Sequence, residues 1–309
     1  MDLNSTNQIQ YFDFIVFDVS TLYLFLWTVI SVIIITGNAL VVFVSIKNNM
    51  HEHMNRRILL SLSVVDFATG IFGLSWIVID KAPETEATTI ATSIIYQSMW
   101  LCNSLSQWHI LLLACERYIA IVYPLRYLQL ASNKRVNFAI ILAWICGTMI
   151  CLCATPLAYF VNNKAYFFST DIIIQLLTFI CLSFSHIKVY IEAKRQVSKI
   201  SSIENQLRHE KVKKRKKEYR ATKTTMVVYG AYLVCYCPYI IYIIPSCILL
   251  YINHGTALLN STLIHYLLML LYANAGMNPV IYSYRNGSFM RNVIDSLIHT
   301  LGIRTTVNT

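Results

Sequence analysis

Hydrophobic residues along the chain are gathered into seven long apolar segments, which shorter polar stretches separate. The segments cover roughly residues 21–46, 56–79, 89–122, 136–160, 166–190, 222–251 and 260–284. In the first, Thr21 to Ile46 is a run of 26 residues without a charged side chain, and a helix needs roughly 20 apolar residues to cross a bilayer. The pattern therefore predicts an all-α membrane protein, a seven-transmembrane helix bundle.

Positive charges are distributed unevenly between the segments that connect the predicted spans. All but two of the 25 Lys and Arg residues, Lys81 and Lys164, fall on one side of the predicted membrane. Because basic connections remain in the cytoplasm, the amino terminus is predicted outside and the carboxyl terminus inside. This segregation accounts for the net charge of +10 without a nucleic-acid partner.

The composition agrees with a membrane protein. Hydrophobic residues make up 56% of the chain and charged residues 13%, whereas soluble domains carry about 25% charged residues. Most of the nine cysteines fall inside predicted spans, where a cysteine behaves as a small hydrophobe. Residues 1–20 show no basic start before an apolar stretch, so the first span is expected to direct membrane insertion.

Three regions follow from this topology. Residues 1–20 form an extracellular amino-terminal segment, residues 21–284 the membrane domain, and residues 285–309 a cytoplasmic amphipathic helix and tail. The amphipathic pattern of residues 286–299 predicts a short eighth helix in the membrane interface. Asn4 and Asn260 begin Asn-x-Ser/Thr sequences on the outer side, and we expect both to be glycosylated.

One stretch between the fifth and sixth spans is strongly basic. Residues 194–223 contain 12 Lys and Arg residues. Two interpretations remain open: solvated extensions of two helices beside anionic lipid headgroups, or a surface for a partner protein. The run alone does not separate them.

Two short motifs lie at the inner ends of predicted spans. Glu116-Arg117-Tyr118 closes the third span, where charges are costly and are usually paired. Asn278-Pro279 and then Tyr282 close the seventh, and Pro279 removes a backbone donor at a bend. Each motif alone is also consistent with an ordinary helix end or a proline kink. Together, in these spans and this order, they resemble the signatures of rhodopsin-like (class A) G-protein-coupled receptors.

The resemblance covers about residues 21–299 and implies a function. Members of this family transduce an extracellular ligand signal to a heterotrimeric G protein, through outward movement of the sixth helix at the plasma membrane. They are receptors and not enzymes. The switch residues that it implies here are Glu116, Arg117, Tyr118, Glu218, Asn278, Pro279 and Tyr282. Glu218 is expected to pair with Arg117 at rest, although a solvated charge in the basic stretch is the other interpretation.

The resemblance also places an ion site in the second span. Asp66 is a lone carboxylate at mid-membrane depth, which is costly unless it is neutralised. In the family this carboxylate binds a sodium ion, and the implied partners here are Ser106, Asn274 and Asn278. The alternative is a protonated Asp66 in a hydrogen-bonded network with water. No other cofactor is expected.

The family's ligand site lies in the outer half of the bundle. Met99 occupies the position where amine receptors carry a carboxylate, so we do not expect a simple biogenic amine. The predicted wall is mostly apolar with phenolic groups, as in sites where a few polar groups orient an apolar ligand. A small-molecule, lipid or peptide ligand is therefore expected. The implied wall residues are Met99, Trp100, Asn103, Asp171, Ile174, Tyr236, Tyr239, Ile240, Leu268 and Tyr272.

Several positions depart from the family pattern. Thr92 occupies the position where the third helix of the family usually carries the cysteine of an outer disulfide. In lacking this cysteine, the sequence most resembles the melanocortin, adenosine and lipid-receptor-like branch. Five further departures affect coupling between the ligand pocket and the inner face: Gln107, Thr178, His186, Tyr232 and Tyr236. They leave a second hypothesis open, a receptor-shaped protein that does not signal and acts as a decoy, chaperone or dimer partner.

Overall fold

A computed structural model describes residues 21–47, 54–123, 126–130, 132–161, 164–201, 209–252 and 261–285. Within these ranges all regular structure is helical. The helices are α1 (Thr21–Lys47), α2 (Met54–Asp80), α3 (Glu86–Val122), α4 (Tyr127–Leu130), α5 (Asn133–Val161), α6 (Lys164–Ser201), α7 (His209–Ile252) and α8 (Ser261–Arg285). Because α4 is a single turn between the third and fourth spans, the fourth to seventh spans are α5 to α8.

The seven long helices coincide with the seven predicted segments, which confirms the fold class. Two of them run further than their apolar segments: α6 continues to Ser201 and α7 begins at His209. The added turns are rich in Lys, Arg and Glu and contain neither Gly nor Pro, so helix propensity continues where hydrophobicity stops. The predicted amphipathic helix at 286–299, the sequon residues Asn4 and Asn260, and the segment 1–20 lie outside the described residues.

The bundle is closed, with α3 at its centre. Going round it, α1 packs against α2, α2 against α5, α5 against α6, α6 against α7, α7 against α8, and α8 returns to α1. The central helix α3 contacts α2, α5, α6 and α7. A residue on α3 can therefore lie close to any of four other spans, and α3 carries more of the candidate site residues than any other helix.

The outer end of α3 is fixed by a local hydrogen-bonded cap. Thr85 and Thr88 cap it reciprocally: the Thr88 amide donates to Thr85 Oγ1 at 3.2 Å, and the Thr85 amide donates to Thr88 Oγ1 at 2.8 Å. Thr92, at the position of the family's cysteine, donates its hydroxyl to the Thr88 carbonyl at 2.8 Å. Backbone groups that would otherwise lack partners at the helix start are thus satisfied locally.

Apolar side chains cover the outside of the bundle, and several polar ones lie inside it. Phe25, Val78 and Ile241 are 63%, 74% and 71% exposed, whereas Asn38 and Asp66 are 0% exposed. A water-soluble protein rarely exposes so much contiguous apolar surface, but lipid tails solvate it well. Three of the described helices are long and apolar enough to cross a membrane by length and composition: Thr21–Lys47, Arg56–Ile79 and Met226–Leu249.

Small residues allow α1 and α2 to approach closely. A Cβ added at Gly70 would lie 2.7 Å from Ile35 Cγ1 and 3.1 Å from the Ile35 backbone nitrogen. At Gly73 the same atom would lie 2.7 Å from Ser31 Oγ. Because the two helices are this close, the Trp27 indole N–H reaches the Gly73 carbonyl and donates to it at 2.8 Å. The two glycines therefore set the distance between the first two spans.

Candidate functional site

A polar centre around Asp66 joins three spans inside the bundle. The Ser106 hydroxyl on α3 donates to Asp66 Oδ1 at 3.0 Å, and the Asn278 amide on α8 donates to Asp66 Oδ2 at 2.7 Å. Both partners were predicted from the sequence. Asn38 extends the centre to α1, because its amide donates to the Ala275 carbonyl at 3.1 Å. The carboxylate of the second span is thus hydrogen-bonded from the third and seventh spans at once.

The side chains around Asp66 offer mainly oxygen atoms as possible ligands for a cation. Asn274, the fourth residue of the predicted ion site, is 3% exposed and lies four residues before Asn278 on α8. Among the described residues no group of three or more His, Cys, Asp or Glu side chains is placed to hold a metal. A cation here would therefore rely on one carboxylate with hydroxyl and amide oxygens, a set that suits a hard cation and not a transition metal.

A tightly paired arginine lies at the inner end of α3. Arg117 Nε lies 2.5 Å from Glu116 Oε2, and Arg117 Nη2 lies 2.6 Å from Glu116 Oε1. Such a two-point pair is the strong form of an Arg–carboxylate contact. The Tyr127 hydroxyl of α4 also donates to Glu116. Glu116 is 4% exposed and the Arg117 side chain 11%, so the pair is largely removed from solvent.

Two further predicted switch residues, Tyr118 and Pro279, have described contacts. Tyr118 packs on the small cluster formed by Ile121 of α3 and Val189 of α6. Pro279 lies against α1, where a Cβ added at Gly37 would be 3.0 Å from Pro279 Cγ. The side chains of Glu218 and Tyr282 lie outside the described part of the structure. The expected pair of Glu218 with Arg117 therefore stays a prediction.

Most of the predicted ligand wall is brought together in the outer half of the bundle. Five wall residues belong to one buried cluster, and Trp100 and Ile240 pack against it. The Tyr236 hydroxyl donates to Asn103 Oδ1 at 2.5 Å, which ties α7 to α3. The side chains of Asp171 and Ile174 lie outside the described part. The five clustered residues are Met99, Tyr236, Tyr239, Leu268 and Tyr272.

A small cavity adjoins this cluster on the side of the first two spans. Of the predicted wall residues that the structure describes, Met99 and Tyr272 border it. On the other side, α1 and α2 line the cavity with residues that include Trp27, Ser31, Thr69 and Gly73. In this conformation the predicted wall is packed against itself.

Aromatic rings form a continuous column along α7. Tyr232 stacks on Tyr236 with ring centroids 4.1 Å apart, and Tyr229 stacks on Tyr232 at 6.3 Å. His186 of α6 stacks on Tyr229 at 4.3 Å and 13°. Three of the positions that depart from the family pattern, His186, Tyr232 and Tyr236, are thus joined through Tyr229 in one stacked series. Tyr229 was not predicted, although its spacing of three and seven residues from the other tyrosines marks one helix face.

Gln107, another position that departs from the family pattern, is hydrogen-bonded to a residue of α6. Gln107 of α3 donates its amide to Gln175 Oε1 of α6 at 2.6 Å, and the two side chains are 2% and 4% exposed. Gln175 was missed because nothing in its local pattern distinguishes a buried polar residue from one facing outward. The pair replaces apolar packing between the third and fifth spans with a buried hydrogen bond.

The fold and these clusters define an integral membrane receptor, and comparison with known proteins identifies its family. The family model described as 7 transmembrane receptor (rhodopsin family) matches residues 37–282. The chain belongs to this family, as the motifs predicted. It is a G-protein-coupled receptor by family, and its relatives are receptors and not enzymes.

Individual relatives are similar over most of their length. The chain is 23% identical to the histamine H2 receptor of Rattus norvegicus, over 88% of this chain and 78% of the relative. It is 23% identical to lysophosphatidic acid receptor 1-B of Xenopus laevis, over 87% and 73%. It is 24% identical to lysophosphatidic acid receptor 3 of Homo sapiens, over 84% and 74%.

Proposed function

We propose that this receptor couples an extracellular ligand to a heterotrimeric G protein through outward movement of the inner half of α7, the sixth span. The observation that carries the proposal is the two-point pair of Arg117 with Glu116. A buried arginine held by a neighbouring carboxylate is a switch element, because releasing it presents a cation at the cytoplasmic end of the central helix. Tyr127 of α4 also donates to Glu116. Release of Arg117 would therefore change a contact between α3 and the segment that follows it on the cytoplasmic side.

Two arrangements of the inner end account for resting and active states. At rest Arg117 is bound by Glu116, and Glu218 of α7 adds a second acidic partner that holds α3 and α7 together. In the active state α7 swings outward and Arg117 faces the G protein. A ligand shifts this balance only by binding one arrangement more tightly than the other.

We further propose that a sodium ion binds beside Asp66 and favours the resting arrangement. Asp66, Ser106, Asn274 and Asn278 would hold it, and the oxygen-rich donor set supports this assignment. The ion would neutralise the buried carboxylate, which otherwise carries an uncompensated charge inside the bundle. Its binding would stabilise the packing of α2, α3 and α8 around the polar centre.

The ligand is proposed to be neutral or lipid-like, or a peptide that reaches the rim. The described wall residues are uncharged, and Met99 offers no carboxylate for an ammonium group. The relatives do not decide between classes, because one is named for histamine and two for lysophosphatidic acid. They are all named as receptors, which does not favour the non-signalling alternative. The proposed location is the plasma membrane with the amino terminus outside.

Basal nucleotide exchange tests this proposal without a known ligand. Receptor reconstituted in lipid nanodiscs is mixed with each class of heterotrimeric G protein, and the rate of GDP release is measured. Glu116→Gln weakens the hold on Arg117, so we expect exchange with at least one class to rise about fivefold, the factor that corresponds to ~1 kcal/mol.

The matched control is Arg135→Ala. Arg135 also lies on the cytoplasmic side, where its guanidinium donates to the Gln129 carbonyl at 3.1 Å. None of its described hydrogen bonds involves Glu116 or Arg117. This variant should behave as the wild type. If neither the wild type nor Glu116→Gln accelerates GDP release from any class, the chain does not couple to G proteins.

A further inference from the structure

Among the described residues, two buried hydrogen-bond donors on α3 have no partner. Asn103 is 4% exposed, and its Oδ1 is taken by the Tyr236 hydroxyl, but its Nδ2 group has no acceptor. The Trp100 indole Nε1 is also buried without an acceptor. The two residues are three apart in the helix, so they occupy the same face of α3. They adjoin the cluster formed by Met99, Tyr236 and Tyr239.

Unpaired donors in such a position are rare and costly. Most buried polar groups in proteins have at least one hydrogen-bond partner, and removing a donor from water without replacing its bond is strongly unfavourable. The indole of Trp27, which is 4% exposed, obeys the rule, because it donates to the Gly73 carbonyl at 2.8 Å. Trp100 and Asn103 are thus exceptions in the wall where the ligand is expected.

The chemistry of these groups selects the complementary group on a ligand. Two N–H donors match one oxygen with two lone pairs, as in a carbonyl group. An ammonium group has only donors and would face both N–H groups without an acceptor. A carboxylate or phosphate could accept both bonds, but the described wall residues offer no cation to offset its buried charge.

We propose that the ligand is a neutral, largely apolar molecule whose carbonyl oxygen accepts hydrogen bonds from Trp100 Nε1 and Asn103 Nδ2. This inference rests on the proposed ligand site and adds the polar group that the site recognises. The surrounding cluster of Met99, Tyr239 and Leu268 supplies an apolar surface for the rest of the molecule. Tyr236 then acts as a positioning residue, because its hydroxyl orients the Asn103 amide so that Nδ2 is the group available for donation.

The first experiment measures the thermal stability of the ligand-free receptor in detergent. Trp100→Phe removes an unpaired donor, whereas the control Trp27→Phe removes one that is paired with Gly73. Both substitutions lose similar ring area, so they differ chiefly in the fate of the N–H group. We expect a clearly smaller fall in melting temperature for Trp100→Phe. An equal or larger fall would show that the Trp100 N–H is paired within the protein and would overturn the proposal.

The second experiment identifies the preferred ligand group. Three apolar scaffolds serve as probes: an 18-carbon chain, a steroid and a biphenyl. Each is supplied as a ketone or amide, as the plain hydrocarbon and as an amine, and its affinity is obtained from the concentration dependence of the receptor's melting temperature in nanodiscs. On at least one scaffold the carbonyl form should bind tightest. Trp100→Phe should weaken that form about fivefold, as expected for the loss of one hydrogen bond, and should leave the hydrocarbon unchanged.

Trp144→Phe is the control for the probe experiment, because the Trp144 indole donates to Ser61 of α2 at 3.0 Å and neither residue belongs to the predicted wall. It should leave the preference for the carbonyl form intact. The proposal is overturned if no scaffold shows that preference, if Trp100→Phe leaves it unchanged, or if the amine binds tightest. These outcomes are separate from G-protein coupling: basal nucleotide exchange that responds to Glu116→Gln would still stand if the carbonyl preference failed.

Discussion

The side-chain amide of Asn278 donates a hydrogen bond to Asp66 Oδ2 at 2.7 Å, across 212 positions of sequence. This bond connects the second span directly to the segment just before the bend at Pro279. Ser106 holds the other oxygen of the same carboxylate. A rearrangement of α8 that displaces Asn278 would therefore break this bond, which places the carboxylate between the outer wall and the inner switch.

A sodium ion at this carboxylate predicts a sodium-dependent resting state. Replacing potassium by sodium at constant ionic strength should lower basal nucleotide exchange of the wild type, because the ion favours the resting arrangement. Asp66→Asn removes the charge and should abolish this difference. Ser75→Ala, on the same helix with a local bond to the Ile71 carbonyl, should retain it. Equal sodium sensitivity in Asp66→Asn and the wild type would exclude the site.

The predicted contact of Arg117 with Glu218 gives a second test at the inner face. Glu218→Ala should raise ligand-free signalling in cells, because it removes the acidic partner on α7. Since the pair lies close to the cytoplasm, the expected effect is ~1 kcal/mol in the balance of states. Glu210→Ala, which removes another carboxylate from the same basic stretch, is the matched control. Unchanged basal signalling in Glu218→Ala at equal surface expression would argue against the contact.

The buried pair of Gln107 and Gln175 should be strongly coupled. Gln107→Leu leaves the Gln175 amide buried without a partner, which costs about 1–3 kcal/mol of unfolding free energy. Gln107→Leu with Gln175→Leu removes both polar groups and should be closer to the wild type than either single variant. Thermal stability of the four proteins in one detergent gives the coupling. Additive losses would show that the two amides do not interact.

Close packing of α1 and α2 predicts a sharp difference between two glycines. Gly70→Ala would place a methyl group 2.7 Å from Ile35 Cγ1 and 3.1 Å from backbone, so the helices must separate. Overpacking of this kind costs about 1–3 kcal/mol. Gly230→Ala, where the added Cβ meets nothing within 4 Å, should be neutral or slightly stabilising through helix propensity. A Gly70→Ala receptor as thermally stable as Gly230→Ala would contradict the close approach.

Much of the fold could be predicted because its main signals are local. Apolar segments of span length identify helices, and residues such as Thr21 and Lys47 bound them because a charged or polar residue marks the membrane edge. The continuations of α6 and α7 correspond to one of the two interpretations that the basic stretch left open, solvated extensions of two helices. Their exact ends could not be predicted, since solvated helical turns lack an apolar stripe. The four-residue helix α4 was missed for the opposite reason, as it is too short for any periodicity to appear.

The contacts of the candidate site also divide into some that the sequence predicted and others that it did not. The family resemblance, carried over by counting from two motifs, was sufficient to predict Ser106 and Asn278 beside Asp66. Contacts that depend on how two helices face each other left no such signal. Gln175 as the partner of Gln107, and Tyr127 as the partner of Glu116, become visible only when the packing of the bundle is known.

Outward movement of the sixth span is the central claim, and a distance measurement tests it most directly. Genetically encoded spin labels at Arg135 in α5 and Arg220 in α7 report the separation of the inner ends in nanodiscs by pulsed electron paramagnetic resonance. Nucleotide-free heterotrimeric G protein should shift the distance distribution to longer values, and adding GTP should restore the shorter one. A distribution that no class of heterotrimer alters would contradict the account.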